Sequence, residues 1–522
     1  MAGFEPARLS ARDFKSPVSA VPPHQLKFII ALYSIHCQES VKSPKSILNK
    51  KTALKTEVLN MVNNAWLKNT AKKEDVELFS DKYRAFLDNS KTERECVQNS
   101  ISLAKQKGFV SFEEAIQKKG LCAGNKIYFN WMNKALILFI IGKEPIEKGL
   151  NILGAHIDSP RIDVKQNPFY EEKGLAYLDT HYYGGIKKYQ WVTMPLSIHG
   201  IVVKKDGISV PVVIGEDEAD PVFCITDLLP HLAQDQMSKP ANKFIEGESL
   251  NLLIGNQPVE GQENDAVKTC VLSIIKEKYN IEEEDFLSAE LEIVPAGKTR
   301  ELGFDRSMIL GYGHDDRSCA LSSLAALLNF DEVPQYTLCC VLADKEEIGS
   351  VGATGMASHF FENTLADLLD AKENYSELTL RRALKNSRML SSDVSAAYDP
   401  LYASAFEANN SAYLAHGISF NKYTGSRGKS GSNDANAEYV AEIRRIMDEA
   451  SVTFQMTELG RVDQGGGGTI AYLCSKYGMN VIDCGIPVLS MHAPWEVISK
   501  IDLYEGYLCY CAFLKKAVPI NL

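Results

Sequence analysis

Between Tyr336 and Ala343 the chain reads YTLCCVLA, eight residues without a charge, and then turns abruptly to Asp344-Lys345-Glu346-Glu347 and glycines. A short unbroken apolar run suits a strand covered on both faces, since neither face then meets water. Such a strand constrains the fold strongly, because it needs packed layers on both sides. The run also poses a charge problem. Two adjacent carboxylates at the end of a buried strand cost energy unless something compensates them.

The surrounding sequence supplies the layers. From about residue 304 onward helical and extended patterns alternate. SCALSSLAALLNF, NAEYVAEIRRIMDEA and TIAYLCSKYG read as helices, and NVIDCGI as a strand. This alternation predicts an α/β fold, a three-layer core around a largely parallel or mixed sheet, with ligands beyond the carboxyl ends of the strands. Residues 50–149 are mainly helical in pattern. ALKTEVLNMVNNAWL and CVQNSISLAKQKGF carry apolar residues three and four apart, and Ser111 caps a helix starting in FVSFEEAI. KIYFNWM and ALILFIIG read as paired strands leading to NILGAHID.

Residues 162–300 have another texture. WVTMPLSIHGIVVKKDGISVPVVIG is strand-rich with a turn at Asp206-Gly207, CVLSIIKEKYN is helical and FLSAELEIVPAG extended. This predicts a strand-rich inserted second domain. A chain of 522 residues exceeds the size at which single cores stop growing. Residues 1–48, rich in Ser, Pro and Lys, read as a mobile extension or a docked edge strand.

A formal net charge of -11 argues against nucleic acid as a main partner. The 12 cysteines are scattered, with no CxxC, and the Cys339-Cys340 pair falls in the strand-like run; a reducing, cytoplasmic setting is expected. No apolar run reaches the length of a membrane span, and FIIALY is too short and poorly flanked for a signal peptide.

Five polar clusters interrupt the apolar segments: GAHIDSPR, GHDDRSC, DKEEIGS, SSDVSAA and SMHAPWE. In the first, His156 and Asp158 share a face of an extended segment. The carboxylate could fix the imidazole tautomer while the other nitrogen binds metal, or the histidine could be satisfied within a turn. Asp315 and Asp316 precede a small-residue helix. One could bridge two cations while its neighbour pairs with Arg317 or caps the helix. In DKEEIGS a cation would absorb the charge of one glutamate and leave the other as a base. A helix starting near Gly352 offers the competing explanation of capping. Asp393 reads as a ligand or turn cap. His492 could pair with Glu496 if that segment were helical. Two imidazoles with three carboxylates suit zinc, cobalt or manganese.

The motifs GAHIDSPRIDVK, DKEEIGSVGATG, SSDVSAA and SMHAPWE, in this order, closely resemble those of the M18 metallo-aminopeptidases, the aspartyl aminopeptidase family. The likeness runs from about residue 50 to the C-terminus. It implies two divalent cations per subunit, most simply zinc, with His156, Asp315, Glu347, Asp393 and His492 as ligands and Asp315 bridging. It implies that Glu346 is the general base and that Asp158 orients His156. His231, in DLLPHLA, would reach a neighbouring subunit's active site. The family releases one residue at a time from free peptide N-termini, its best-known members preferring Asp or Glu, and assembles as tetrahedral dodecamers of dimers. On this basis the chain divides into an extension (1–48), a catalytic part (49–161), an inserted dimerisation and substrate-contact domain (162–303) and a second catalytic part (304–522).

Two departures bear on substrate choice. The segment FNKYTGSRGKSGSNDANAE is longer than the family's, with Lys422 the best positional match for the basic group behind acidic specificity and Arg427 and Lys429 as substitutes. DQGGGGTIA, residues 463–471, replaces a Cys-Gly-Thr-Thr-like turn. A preference for neutral residues such as Leu is therefore an alternative. Further alternatives are a carboxypeptidase or deacylase on a similar scaffold, and a catalytically silent assembly or cargo-binding protein.

Overall fold

A computed structural model describes residues 64–68, 73–117, 120–373 and 375–519, except for the side chains of 426 and 427. The chain forms two units, residues 1–70 and 71–522. In the first, the described part is the short helix Ala65–Lys68. Residues 53–63 of the segment predicted to be helical, and the 1–48 extension, lie outside the described residues.

The second unit is built on a nine-stranded mixed sheet. Its centre is four adjacent parallel strands, in the order Thr337–Ala343, Leu150–His156, Arg388–Ser392 and Asn480–Gly485. All seven residues of Thr337–Ala343 are buried, and so are all seven of Leu150–His156. Lys126–Trp131 and Ala135–Ile140 pair antiparallel beside them, as their sequences predict.

Period-two alternation then divides each strand between two cores. Leu138, Ile140, Cys340 and Leu342 face a core shared with helices Lys73–Asp88, Glu93–Gln106, His314–Leu328, Ala437–Ala450 and Lys500–Lys516. Ile137, Phe139, Cys339 and Val341 face another, shared with Phe360–Lys372, Glu377–Lys385 and Ile470–Ser475. The sheet is the middle of three layers. Each Leu, Ile or Phe enclosed this way contributes about 1.5–3 kcal/mol.

The Glu93 helix begins with a reciprocal cap. Thr92 Oγ1 accepts from the Glu95 amide at 3.2 Å, and Glu95 Oε2 accepts from the Thr92 amide at 3.0 Å. Ser111 Oγ accepts from the Glu114 amide at 3.2 Å, which is the capping read from the sequence. The DKEE segment does not lead into a helix near Gly352. It forms a single 3-10 turn, Glu346–Ile348, and the following helix starts at Phe360.

A six-stranded antiparallel sheet carries the strand-rich part: Ser209–Ile214, Leu196–Val203, Ala289–Pro295, Arg161–Glu172, Leu175–Tyr183 and Leu252–Gly255. It has its own core around Trp191, Leu196, Ile293 and Phe286. A five-stranded sheet, including Met308–Gly311, Pro487–Leu489 and Glu496–Ser499, completes the fold.

Candidate metal centre

The four central strands end side by side, and the polar motifs leave from those ends. His156 closes Leu150–His156, Glu346 and Glu347 follow Thr337–Ala343, and Asp393 follows Arg388–Ser392. Asp315 stands at the start of the His314 helix, and His492 in the turn between Pro487–Leu489 and Glu496–Ser499.

These side chains converge. His156 Nε2 lies 3.1 Å from Asp315 Oδ1 and 4.0 Å from Asp393 Oδ1. His492 Nε2 lies 3.3 Å from Asp315 Oδ2 and 3.5 Å from Glu347 Oε1. Two donor groups result, His156 with Glu346 and Asp393, and His156 with Asp315 and Glu347. Asp315 Oδ1 and Glu347 Oε1 are buried without a hydrogen-bond partner. Buried carboxylate oxygens left this way call for a cation, and imidazole with carboxylate is a donor set that zinc accepts. The residues fit a metal.

The electrostatics show what the crowding costs. Burial would raise Asp315, but the neighbouring His156 and His492 imidazoles hold its carboxyl well below the usual range. Burial pushes Glu347 and Asp393 well up, helped by Asp315 and Glu346 respectively. Burial also lifts Glu346, against the pull of His156 and with the push of Asp158 and Asp315, to about 7.

Asp158 lies beneath the centre. His156 Nδ1 is 3.0 Å from the Asp158 main-chain oxygen and 3.3 Å from Oδ1. The same carboxylate accepts from the amides of Glu346 and Glu347 at 3.1 and 3.2 Å and from Tyr183 Oη at 2.8 Å.

Three sequence expectations are corrected. Asp316 neither pairs with Arg317 nor caps the helix through its side chain; Asp316 Oδ2 accepts from the His156 amide at 3.3 Å. Arg317, fully buried, instead donates to Ile157 O at 3.1 Å and Lys91 O at 2.9 Å. The His492 segment is not helical. His492 has a φ of 64°, in the left-handed region uncommon for residues other than glycine. Glu496 therefore meets the His492 amide, at 2.8 Å, rather than its ring, and accepts from the Asp315 amide at 3.0 Å with its other oxygen.

Tyr183 and Gly185 are the contributors that pattern reading missed as partners of the centre. The Gly-Gly after Tyr183 was the available signal, since adjacent glycines mark a close backbone approach.

A cavity of about 530 Å³ opens onto the centre, lined by Asp315, Glu346 and Asp393 and by Asn421, Asp483 and the Gly466–Gly468 turn. Lys422 does not line it. Asn421 ends the strand Ile418–Asn421 facing inward, and Lys422, the next residue, turns outward to pair with Asp434, which Lys429 also binds. His231 is exposed on the turn Pro230–Leu232 and is not part of this cavity's wall. A larger groove, about 690 Å³, lies between helices near Phe79, Leu103 and Tyr504 and holds none of the converging groups.

A three-layer α/β/α core with an imidazole–carboxylate cluster beyond parallel strand ends defines a metallopeptidase. The chain belongs to the M18 aminopeptidase family: a family model described as Aminopeptidase I zinc metalloprotease (M18) matches residues 86–514. A probable M18 family aminopeptidase 1 of Clostridium acetobutylicum is 58% identical over 461 residues, 88% of this chain and 99% of the relative. The crystal structure of an M18 aminopeptidase from Thermotoga maritima superposes with a TM-score of 0.83 at 43% identity, covering 87% of this chain and 99% of that one. A more distant structure of the same fold, the S. cerevisiae mApe1 dodecamer, has a TM-score of 0.68 at 20% identity over 83% of this chain and 96% of that one.

Proposed function

We propose that this chain is a dinuclear metallo-aminopeptidase that releases single residues from free peptide N-termini, uncharged residues foremost. The observation carrying the two-cation reading is the Asp315 carboxylate, which turns one oxygen to each of two histidines, at 3.1 and 3.3 Å. His156, Asp393 and Asp315 would hold one ion; His492, Glu347 and Asp315 would hold the other. Zinc is the first choice, and cobalt and manganese share this donor chemistry. When bound, such ions polarise the scissile carbonyl and lower the pKa of water.

The protein's own groups do the rest. Glu346 takes the proton from the attacking water and returns one to the leaving amine. Its carboxylate lies within 4.8 Å of the His156 and Asp393 donor atoms, where a base for this step is needed. Asp158 holds His156 and the Glu346–Glu347 backbone in place. His231, exposed with Leu228, Leu229 and Leu232 around it, would contact substrate in a neighbouring subunit's site.

The cavity wall bears on the substrate. None of its described lining residues is Lys or Arg, and Asp483 is buried there with one oxygen unpartnered; the Arg427 side chain lies outside the described residues. An incoming Asp or Glu side chain would meet the Asp483 carboxylate and no Lys or Arg among the described lining residues, while a neutral side chain would meet no such penalty. This favours the neutral alternative over the acidic preference suggested by Lys422.

We further propose a homododecamer of dimers, in which residues 162–303 form the inserted domain that makes dimer and substrate contacts. The yeast dodecamer of the same fold supports the assembly. A cytoplasmic location accords with the cysteines, free in every described case. No helix among the described residues is long and apolar enough to cross a membrane.

The test is a rate panel on metal-stripped protein restored with zinc, cobalt or manganese. The peptides differ only at residue one: Leu, Asp, Glu, Lys and an N-acetylated control. Fast Leu release, abolished by acetylation, is the expected result. Faster Asp or Glu release would discard the neutral preference alone, and silence throughout would discard the enzyme reading.

A further inference from the structure

We propose that Tyr183–Gly185, where a strand of the six-stranded sheet runs out, is the positioning element of the metal centre. The strand-rich sheet would thereby set the geometry of a reaction whose reacting groups lie elsewhere. The inference rests on the metal reading above.

Three consecutive residues touch both halves of the centre. On the His156 side, Tyr183 Oη donates to Asp158 Oδ2 at 2.8 Å. Asp158 in turn orients His156 and receives the Glu346 and Glu347 amides. On the His492 side, Gly185 O faces His492 Nδ1 at 3.0 Å. An Nδ1–H held there leaves Nε2 free for the cation, where Asp315 and Glu347 already face it.

The element is itself held firmly. The Arg161 guanidinium stacks on the Tyr183 ring, 3.8 Å from its centroid. Arg161 is buried and paired with Asp163 of its own strand at 2.8 Å and with Glu292 of the adjoining strand Ala289–Pro295 at 3.2 Å, so the sheet fixes it. The hydroxyl direction is thus set by the sheet and not by the centre. The glycines allow the approach. Gly184 has a φ of +75° and a side chain there would sit 3.4 Å from Glu347, while one at Gly185 would sit 3.2 Å from His492 Nδ1.

The experiment measures zinc affinity directly. Metal-stripped wild type, Tyr183→Phe, Gly185→Ala and the control Tyr182→Phe are titrated with zinc against a chromophoric chelator. Melting of each metal-free protein and steady-state rates are recorded alongside. Outer contacts of this kind are worth about 10–100-fold in metal affinity or activity. Tyr183→Phe and Gly185→Ala should bind zinc that much more weakly and lose kcat in proportion, with KM and metal-free melting held, and Tyr182→Phe should match wild type. Wild-type zinc affinity in Tyr183→Phe would overturn the inference. A loss matched by a collapse of the metal-free fold would overturn it too, since the role would then be structural only. A wild type that binds no zinc would overturn the metal reading and this inference with it.

Discussion

The backbone amide of Glu346 donates to Asp158 Oδ1 at 3.1 Å, across 188 residues of sequence. The proposed base and the proposed ligand His156 are therefore held by one carboxylate. Asp158→Asn would replace an acceptor with a group half of which is a donor, facing amide donors. Metal affinity and kcat should each fall about 10–100-fold, read by chelator competition and steady-state rates.

Glu346→Gln keeps the shape of the side chain and removes its basicity. Hydrolysis should drop by about 10²–10⁴-fold, the usual worth of a general base, while zinc content measured by elemental analysis stays at the wild-type level. Full activity in this variant would reassign the base.

Stripping the metal should destabilise the fold. Glu347, Asp393 and Glu346 are crowded in burial with Asp315, and a cation relieves that repulsion. The melting temperature should rise with the logarithm of zinc concentration, because a ligand that binds only the native state stabilises it by mass action. Differential scanning calorimetry across a zinc series measures it.

A second charged cluster ties the segment before helix Glu93–Gln106 to the six-stranded sheet. Glu216 accepts from Lys91 at 2.6 Å and lies 3.0 Å from His199 Nε2. Burial would raise Glu216, but the His199 hydrogen bond and the Lys91 charge outweigh it and hold the carboxyl at about 2, against an ordinary 4.5. A depressed carboxyl stabilises the fold above its unfolded value and loses that contribution as pH falls through the folded one. Glu216→Gln should therefore flatten the acid limb of the stability profile between pH 4.5 and 2, seen in urea unfolding across pH.

Phe139 is fully buried in a strand shared by the two cores of the central sheet. Phe139→Ala should cost about 3–5 kcal/mol, by lost transfer energy and the cavity left behind. Urea unfolding of the variant checks the figure.

The strands and helices of the core were legible because their signals are local. The uncharged YTLCCVLA run, the 3.6-residue spacing of NAEYVAEIRRIMDEA and the Asp206-Gly207 turn each depend on a few neighbouring residues, and Thr337–Ala343, Ala437–Ala450 and the Leu196–Val203/Ser209–Ile214 hairpin follow from them. The candidate ligands were legible for a similar reason. Each is a polar interruption at the end of an apolar segment, and the order of the motifs matched a family. The partners of those ligands were not. That Asp316 takes the His156 amide, that Glu496 bridges Asp315 and His492, and that Tyr183 holds Asp158 are contacts between distant segments. That Asn421 walls the cavity and Lys422 does not turned on which way the last residue of one strand faces. The sequence by itself determined the elements and the chemical groups they carry. Strand order, register and the left-handed turn at His492 decided which atoms meet, because those depend on how the layers pack, and packing is a property of the whole core.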